Sequence, residues 1–141
     1  MSTHSGFVGR RIDATPLTLA VAIGDVLAIG LFVAIGELNH GVSLLAQLGR
    51  AVDTAVPFLI GWWIFAVFGG LYTADAWRSP KRAAAKTFPA WVGADLLAQL
   101  LRATPLFHGD AAVTFFLVAA AAGGLLIVGW RVVVSRYGTR A

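Results

Sequence analysis

Among the polar side chains inside otherwise apolar stretches of this chain, four have types and spacing that could do chemistry. Asp25 falls within the apolar run 17–38 and Asp95 within the run 87–106, each eight positions after the start of its run. In helices rising 1.5 Å per residue, both carboxyls would lie about 12 Å inside a hydrocarbon core roughly 30 Å thick. Asp95, Gln99 and Arg102 are spaced i, i+4, i+7 and share one helix face. Two nearby carboxyls in a medium of low dielectric do not both ionise cheaply, so such a pair holds one proton and can bind and release it, or a cation. Asp25, Asp95, Gln99 and Arg102 thus form a candidate intramembrane polar site. The aspartates would be the acceptors, Gln99 their hydrogen-bond partner and Arg102 a charge at the outer end. The plainer role for the aspartates is to hold helices together through hydrogen bonds. For Arg102 it is to snorkel to the headgroups, or to pair with Glu37 or Asp110.

Four apolar runs carry these residues: 17–38, 55–73, 87–106 and 111–130. Each is about the 20 residues that a spanning helix needs. Proline opens or nearly opens three of them, at Pro16, Pro57 and Pro89. Runs such as Ala119-Ala120-Ala121-Ala122 lack the alternation of a transmembrane strand. Arg10 and Arg11 precede the first run as they would in a secretory signal. That run is too long for a signal core and is interrupted by Asp25, so it reads as an uncleaved span.

Lysine and arginine set the orientation. Arg10, Arg11, Arg78, Lys81, Arg82, Lys86, Arg131, Arg136 and Arg140 fall on one side of a four-span ladder, and Arg50 and Arg102 on the other. Positive residues stay cytoplasmic, which places both termini inside a cell membrane. Tyr72, Trp77, Trp91, Trp130 and Tyr137 gather toward the same ends of the runs, at the expected depth of an aromatic belt. The fold class read from this pattern is all-α: one integral membrane four-helix bundle over 1–141.

Composition agrees. The chain is 58% hydrophobic and 13% charged, with a mean hydropathy of +0.78, against roughly 25% charged residues in soluble domains. The net charge of +4 belongs to residues flanking apolar spans, where it meets lipid headgroups and not nucleic acid. With no cysteine, disulfides, thiolate metal sites and cysteine nucleophiles are excluded. No nucleophile–base pattern or glycine-rich phosphate loop points to an enzyme or a cofactor. His40 and His108, in separate outer loops, are weak grounds for a metal.

Small residues four apart permit close helix packing. Ala20, Gly24 and Ala28 make one such seam, Ala66 and Gly70 a second, and the pairs Ala119/Gly123 and Ala120/Gly124 a third. They would close the bundle from within or join two copies. Gly-Gly-Leu recurs at 69–71 and 123–125, and a Gly-Asp or Gly-Ala-Asp at 24–25 and 93–95, with offsets too different for a clear repeat.

Gly24-Asp25-Val26-Leu27-Ala28, Pro57-Phe58-Leu59-Ile60-Gly61-Trp62, Trp91-Val92-Gly93-Ala94-Asp95, Phe115-Phe116-Leu117 and Gly129-Trp130-Arg131 together resemble a prokaryotic membrane family catalogued as domain of unknown function 3054. The likeness runs from about Asp13 to Arg131, and it implies four spans and no assigned activity. The reading these observations favour is a small proton- or cation-coupled transporter, or a subunit of one, acting through the Asp25/Asp95 pair. Its partners would be the lipid bilayer and a second copy or a larger membrane complex. The rival is an accessory protein presenting Trp62, Trp63, Phe65 and Phe68 to lipid, a pigment or a larger complex.

Overall fold

The computed structural model describes residues 11–39, 48–107 and 112–138. Four helices fill them: α1 (Pro16–Asn39), α2 (Leu48–Phe68), α3 (Pro80–Arg102) and α4 (Val113–Tyr137). Each packs along its neighbours in a ring, α1 against α2 and α4, and α3 against α2 and α4, so α1 and α3 stand diagonally. Among the described residues the sole β pairing is an isolated bridge between Ile12 and Tyr72.

The outer surface is apolar. Leu19, Ile23, Leu27, Leu31 and Leu38 on α1 are each at least half exposed, as are Val113, Leu117 and Leu125 on α4. Exposed apolar surface on this scale is unsuited to water and natural for a helix facing lipid. Helices α1, α2 and α4 are long and apolar enough to cross a membrane. α3 is of similar length but carries Lys81, Arg82, Lys86, Asp95 and Arg102. Its inward face is Ala83, Thr87, Ala90, Trp91, Ala94, Asp95, Ala98 and Gln99. Beyond Lys86 its outward residues include Phe88, Leu96 and Leu100.

Helix ends differ from the sequence expectation at α2 and α3, and α4 runs on to Tyr137, seven residues past the expected end at 130. Pro57 and Pro89 lie inside helices, nine residues past the starts at Leu48 and Pro80. The start of α3 is set by Ser79, whose hydroxyl accepts the Arg82 amide at 3.1 Å, with Pro80 in the first turn. α2 stops before residue 73 because Gly70 adopts φ +71°, a left-handed conformation that suits glycine. The Leu71 amide then bonds back to the Ala66 carbonyl at 2.8 Å, and the Gly70 amide to Val67 at 3.1 Å, the Schellman pattern of a helix end. Gly70 is thus a terminator and not half of a packing seam with Ala66. The turn sends Leu71 and Tyr72 back into the bundle, where both are buried.

Small residues do receive neighbours within the chain, mostly tryptophans. A Cβ at Gly24 would lie 2.0 Å from the Trp130 ring, and one at Gly123 2.3 Å from the Trp91 ring. The close backbone approach is elsewhere: a Cβ at Gly61 would meet the Ala94 carbonyl oxygen at 2.5 Å, where α2 crosses α3. The two Gly-Gly-Leu stretches play unlike parts, since Gly69–Leu71 ends a helix while Gly123 closes a π-helical turn, Ala119–Gly123, within α4. Trp91 Nε1 donates to the Ala119 carbonyl in that turn at 2.9 Å, supplying a partner where the α-helical ladder is interrupted.

Candidate functional site

Asp25 is enclosed, and its partner is not Asp95. It points inward from α1 with no solvent exposure. Arg131, from α4, donates Nε to Asp25 Oδ1 at 2.9 Å and Nη2 to Oδ2 at 2.8 Å. Such two-point pairing is the strong, directional form of a carboxylate–guanidinium contact. Oδ2 also accepts the Tyr72 hydroxyl at 2.7 Å and Trp62 Nε1 at 3.3 Å. Oδ2 thus takes three donors and Oδ1 one, with the Trp62 N–H shared with the Tyr72 hydroxyl at 3.1 Å.

Arg131 is equally well held. Its Nη1 donates to the Leu71 carbonyl at 2.6 Å, an oxygen presented by the turn at Gly70. Its guanidinium carbon lies 5.2 Å from the Tyr72 ring centre, 5.6 Å from Trp62 and 5.9 Å from Trp77, within cation–π range of all three. Both charged side chains have zero exposure. The cluster ties α1, α2, α4 and the 71–77 connection together, with a donor on each oxygen of the Asp25 carboxylate.

Arg131 was expected only as a charge at the end of a span, and its place in the core is the main residue missed by sequence reasoning. A signal was present: the apolar run does not stop at Arg131 but continues through Val132-Val133-Val134. Tyr72, Trp77 and Trp91 likewise lie in the core and not in an outer belt, whereas Tyr137 is 65% exposed. Trp62 faces the ion pair, leaving Trp63, Phe65 and Phe68 as the exposed aromatics of α2.

Asp95 sits in a second, sparser group. It is fully buried on α3, and Gln99 Nε2 donates to its Oδ1 at 3.0 Å. Asp95 Oδ2 and Gln99 Oε1 have no hydrogen-bond partner. Gln99 is only 6% exposed. Trp91, one turn earlier on the same face, belongs to an aromatic cluster with Phe58 at 5.7 Å and Phe32 at 5.9 Å between ring centres. Trp62 and Trp91 stand ring to ring at 6.5 Å, so two indoles, and not a shared proton, lie where the Asp25 and Asp95 groups meet. The reason lies in the helix start and the ring order. α3 begins at Pro80, so Asp95 is fifteen residues into its helix and Asp25 nine into its own. Equal depth therefore does not follow, and donors from α2, α4 and the connection after Gly70 surround Asp25.

The remaining expected contacts are also redistributed. Glu37 accepts the Thr54 hydroxyl at 2.8 Å and Arg50 Nε at 3.4 Å, which replaces the Glu37–Arg102 pairing. Arg102 stacks its guanidinium over Phe115 at 4.3 Å. Asp110, His40 and His108 lie outside the described residues. At the opposite end of the bundle, Arg82, Arg78 and Lys86 converge on Asp75, at 2.8 Å for Arg82 Nε, 3.4 Å for Arg78 and 3.7 Å for Lys86. The hydrogen bonds from Arg82, aided by the charges of Arg82, Arg78 and Lys86, hold the Asp75 carboxyl below its ordinary value despite opposing desolvation.

The family model described as Protein of unknown function (DUF3054) matches residues 22–134. The chain belongs to this DUF3054 family. Asp25, Trp62, Tyr72, Asp95, Gln99 and Arg131 all fall inside the matched stretch, so both polar groups lie in the part of the chain that defines it as a DUF3054 member. Nothing matches the chain among curated proteins or among solved structures.

Proposed function

We propose that this is an integral protein of the cell membrane that takes up a proton or small cation at Asp95 and Gln99, as a small ion-coupled transporter or a subunit of one. The observation that carries this reading is the pair of buried acceptors, Asp95 Oδ2 and Gln99 Oε1, neither of which has a hydrogen-bond partner. Leaving such groups unsatisfied costs about 1–3 kcal/mol each. A bound proton on Asp95, or a hard cation among carboxylate and amide oxygens, removes that cost. In this scheme the Asp25–Arg131 pair does not carry ions. It fixes the helices against which α3 is held.

A fourth span for α3 is supported by its outward Phe88, Leu96 and Leu100 and its inward polar residues. A cytoplasmic position for both chain ends is supported by the lysine and arginine count. Arg11, Arg78, Arg82 and Lys86 also lie at one end of the bundle, with Arg50 at the other.

Proton and monovalent-cation flux into vesicles reconstituted with the wild type, Asp95→Asn and Gln99→Leu tests the proposal. Wild-type flux well above that of empty vesicles, abolished by Asp95→Asn in protein that still inserts, is the expected result. Wild-type vesicles indistinguishable from empty ones would sink the transport reading. The accessory role, with Trp63, Phe65 and Phe68 exposed on α2, would then stand in its place.

A further inference from the structure

Where α2 ends and α3 begins, an open groove runs between the two helices. Phe65, Phe68, Leu71, Pro89 and Ala90 give it an apolar lining, and Lys86 stands among them. Phe68 is 61% exposed, so the groove opens outward, toward the surroundings that the apolar helix faces meet.

The charge beside it is strongly one-sided. Lys86 Nζ lies 3.4 Å from the Gly69 carbonyl and 3.7 Å from Asp75. Arg78 and Arg82 share that same carboxylate. Three cations therefore meet one anion. Arg11 reaches the last turn of α2 through the Phe68 carbonyl, and the exposed Lys81 lies five residues before Lys86 on α3. Asp13, the other acid of this end, bonds the Ala74 amide at 2.8 Å. A surplus of positive charge thus lies at the level where α2 leaves the apolar zone, directly over an apolar furrow.

We infer that this groove is a site for one anionic phospholipid, whose phosphate meets Lys86 and Arg82 and whose acyl chain lies along Phe65, Phe68 and Pro89. A free phosphate would use the cations and leave the furrow empty. A neutral lipid would fill the furrow and leave the surplus charge unmatched. An anionic phospholipid satisfies both. The inference rests on the membrane reading but not on ion uptake at Asp95.

The test uses the full chain in bilayers of phosphatidylcholine with a minor fraction of spin-labelled phosphatidylglycerol or phosphatidylcholine, and measures the motionally restricted fraction of each. Restriction of either lipid reports that the protein is in the bilayer, which separates failure of this site from failure of the membrane reading. The wild type is expected to prefer phosphatidylglycerol, and Lys86→Gln to reduce that preference roughly five-fold. Phe68→Ser should weaken retention of the same lipid while leaving the net charge unchanged. Equal restriction of both lipids by the wild type, or full preference in both variants, would overturn the assignment. So would displacement of the lipid by soluble glycerophosphate at equal concentration.

Discussion

Asp25 and Asp95 are the same residue type, both fully buried among apolar helices, and their surroundings differ in kind. Around Asp25 both oxygens have donors, three on Oδ2 and one on Oδ1, and its cation is enclosed in turn by Leu71, Trp62, Tyr72 and Trp77. Around Asp95 one oxygen accepts from Gln99 and the other has no hydrogen-bond partner. A buried ion pair with complete hydrogen bonding resists change, because losing either partner strands a charge in low dielectric. On the proposed reading, the Asp95 oxygen without a hydrogen-bond partner is where exchange takes place. The contrast teaches that equal burial hides unequal hydrogen bonding, which only a count of donors at each oxygen reveals.

Breaking the clamp should have the largest effect. Arg131→Gln is expected to cost about 3–5 kcal/mol of bundle stability, and Asp25→Asn a similar amount, because each leaves an unmatched buried charge. The double replacement Asp25→Leu with Arg131→Met should recover most of the loss. Equilibrium unfolding in mixed micelles checks this, and a double variant as unstable as the singles would remove the ion pair from the account. A smaller effect is expected at the other acid. Asp95→Asn should change stability by no more than about 1 kcal/mol in the same assay, since an unsatisfied carboxylate oxygen is replaced by a neutral amide. A loss equal to that at Asp25 would erase the distinction between the two regions.

The smallest effect belongs to the exposed cluster at Asp75, a third acid that is paired but not enclosed. Its carboxyl is held below the ordinary value of 3.8 chiefly by Arg82. Its stabilising contribution is therefore complete above that value and is lost as pH falls through the lower folded value. Asp75→Asn should weaken the bundle slightly at neutral pH and low salt, and the difference from wild type should vanish in strong acid or high salt. Unfolding midpoints measured across pH and salt decide it. A difference that persists at high salt would mean that the cluster is shielded from solvent as the Asp25 pair is.

How much of this was legible before the fold was known varies by residue. The helix of 17–38 was read almost to its ends, because Pro16 opens it and its apolar run is uninterrupted but for Asp25. The ends of α2 and α3 are not legible, because a proline that suits a helix start also sits inside a helix, and because the left-handed turn at Gly70 is a matter of backbone conformation. Asp95 with Gln99 was legible, since residues four apart on one helix must be neighbours. Asp25 with Arg131 was not, because 106 positions separate them and an arginine near the end of an apolar run has an ordinary explanation in topology. Tyr72 has an equally ordinary reading as an interfacial aromatic, and only the turn at Gly70 folds it inward.

By itself the sequence determined the solvent and the class of fold: long apolar runs with charges gathered at their ends make helices whose outer faces favour lipid, since backbone groups in hydrocarbon must bond within the helix. It also determined the one polar pair that lies within a single helix. The tertiary structure alone decided which acid received the arginine. That choice depends on helix starts, on the ring order that sets α1 beside α4, and on one glycine turn that delivers Leu71 and Tyr72. Contacts between distant segments follow from packing in three dimensions, to which local pattern gives no access.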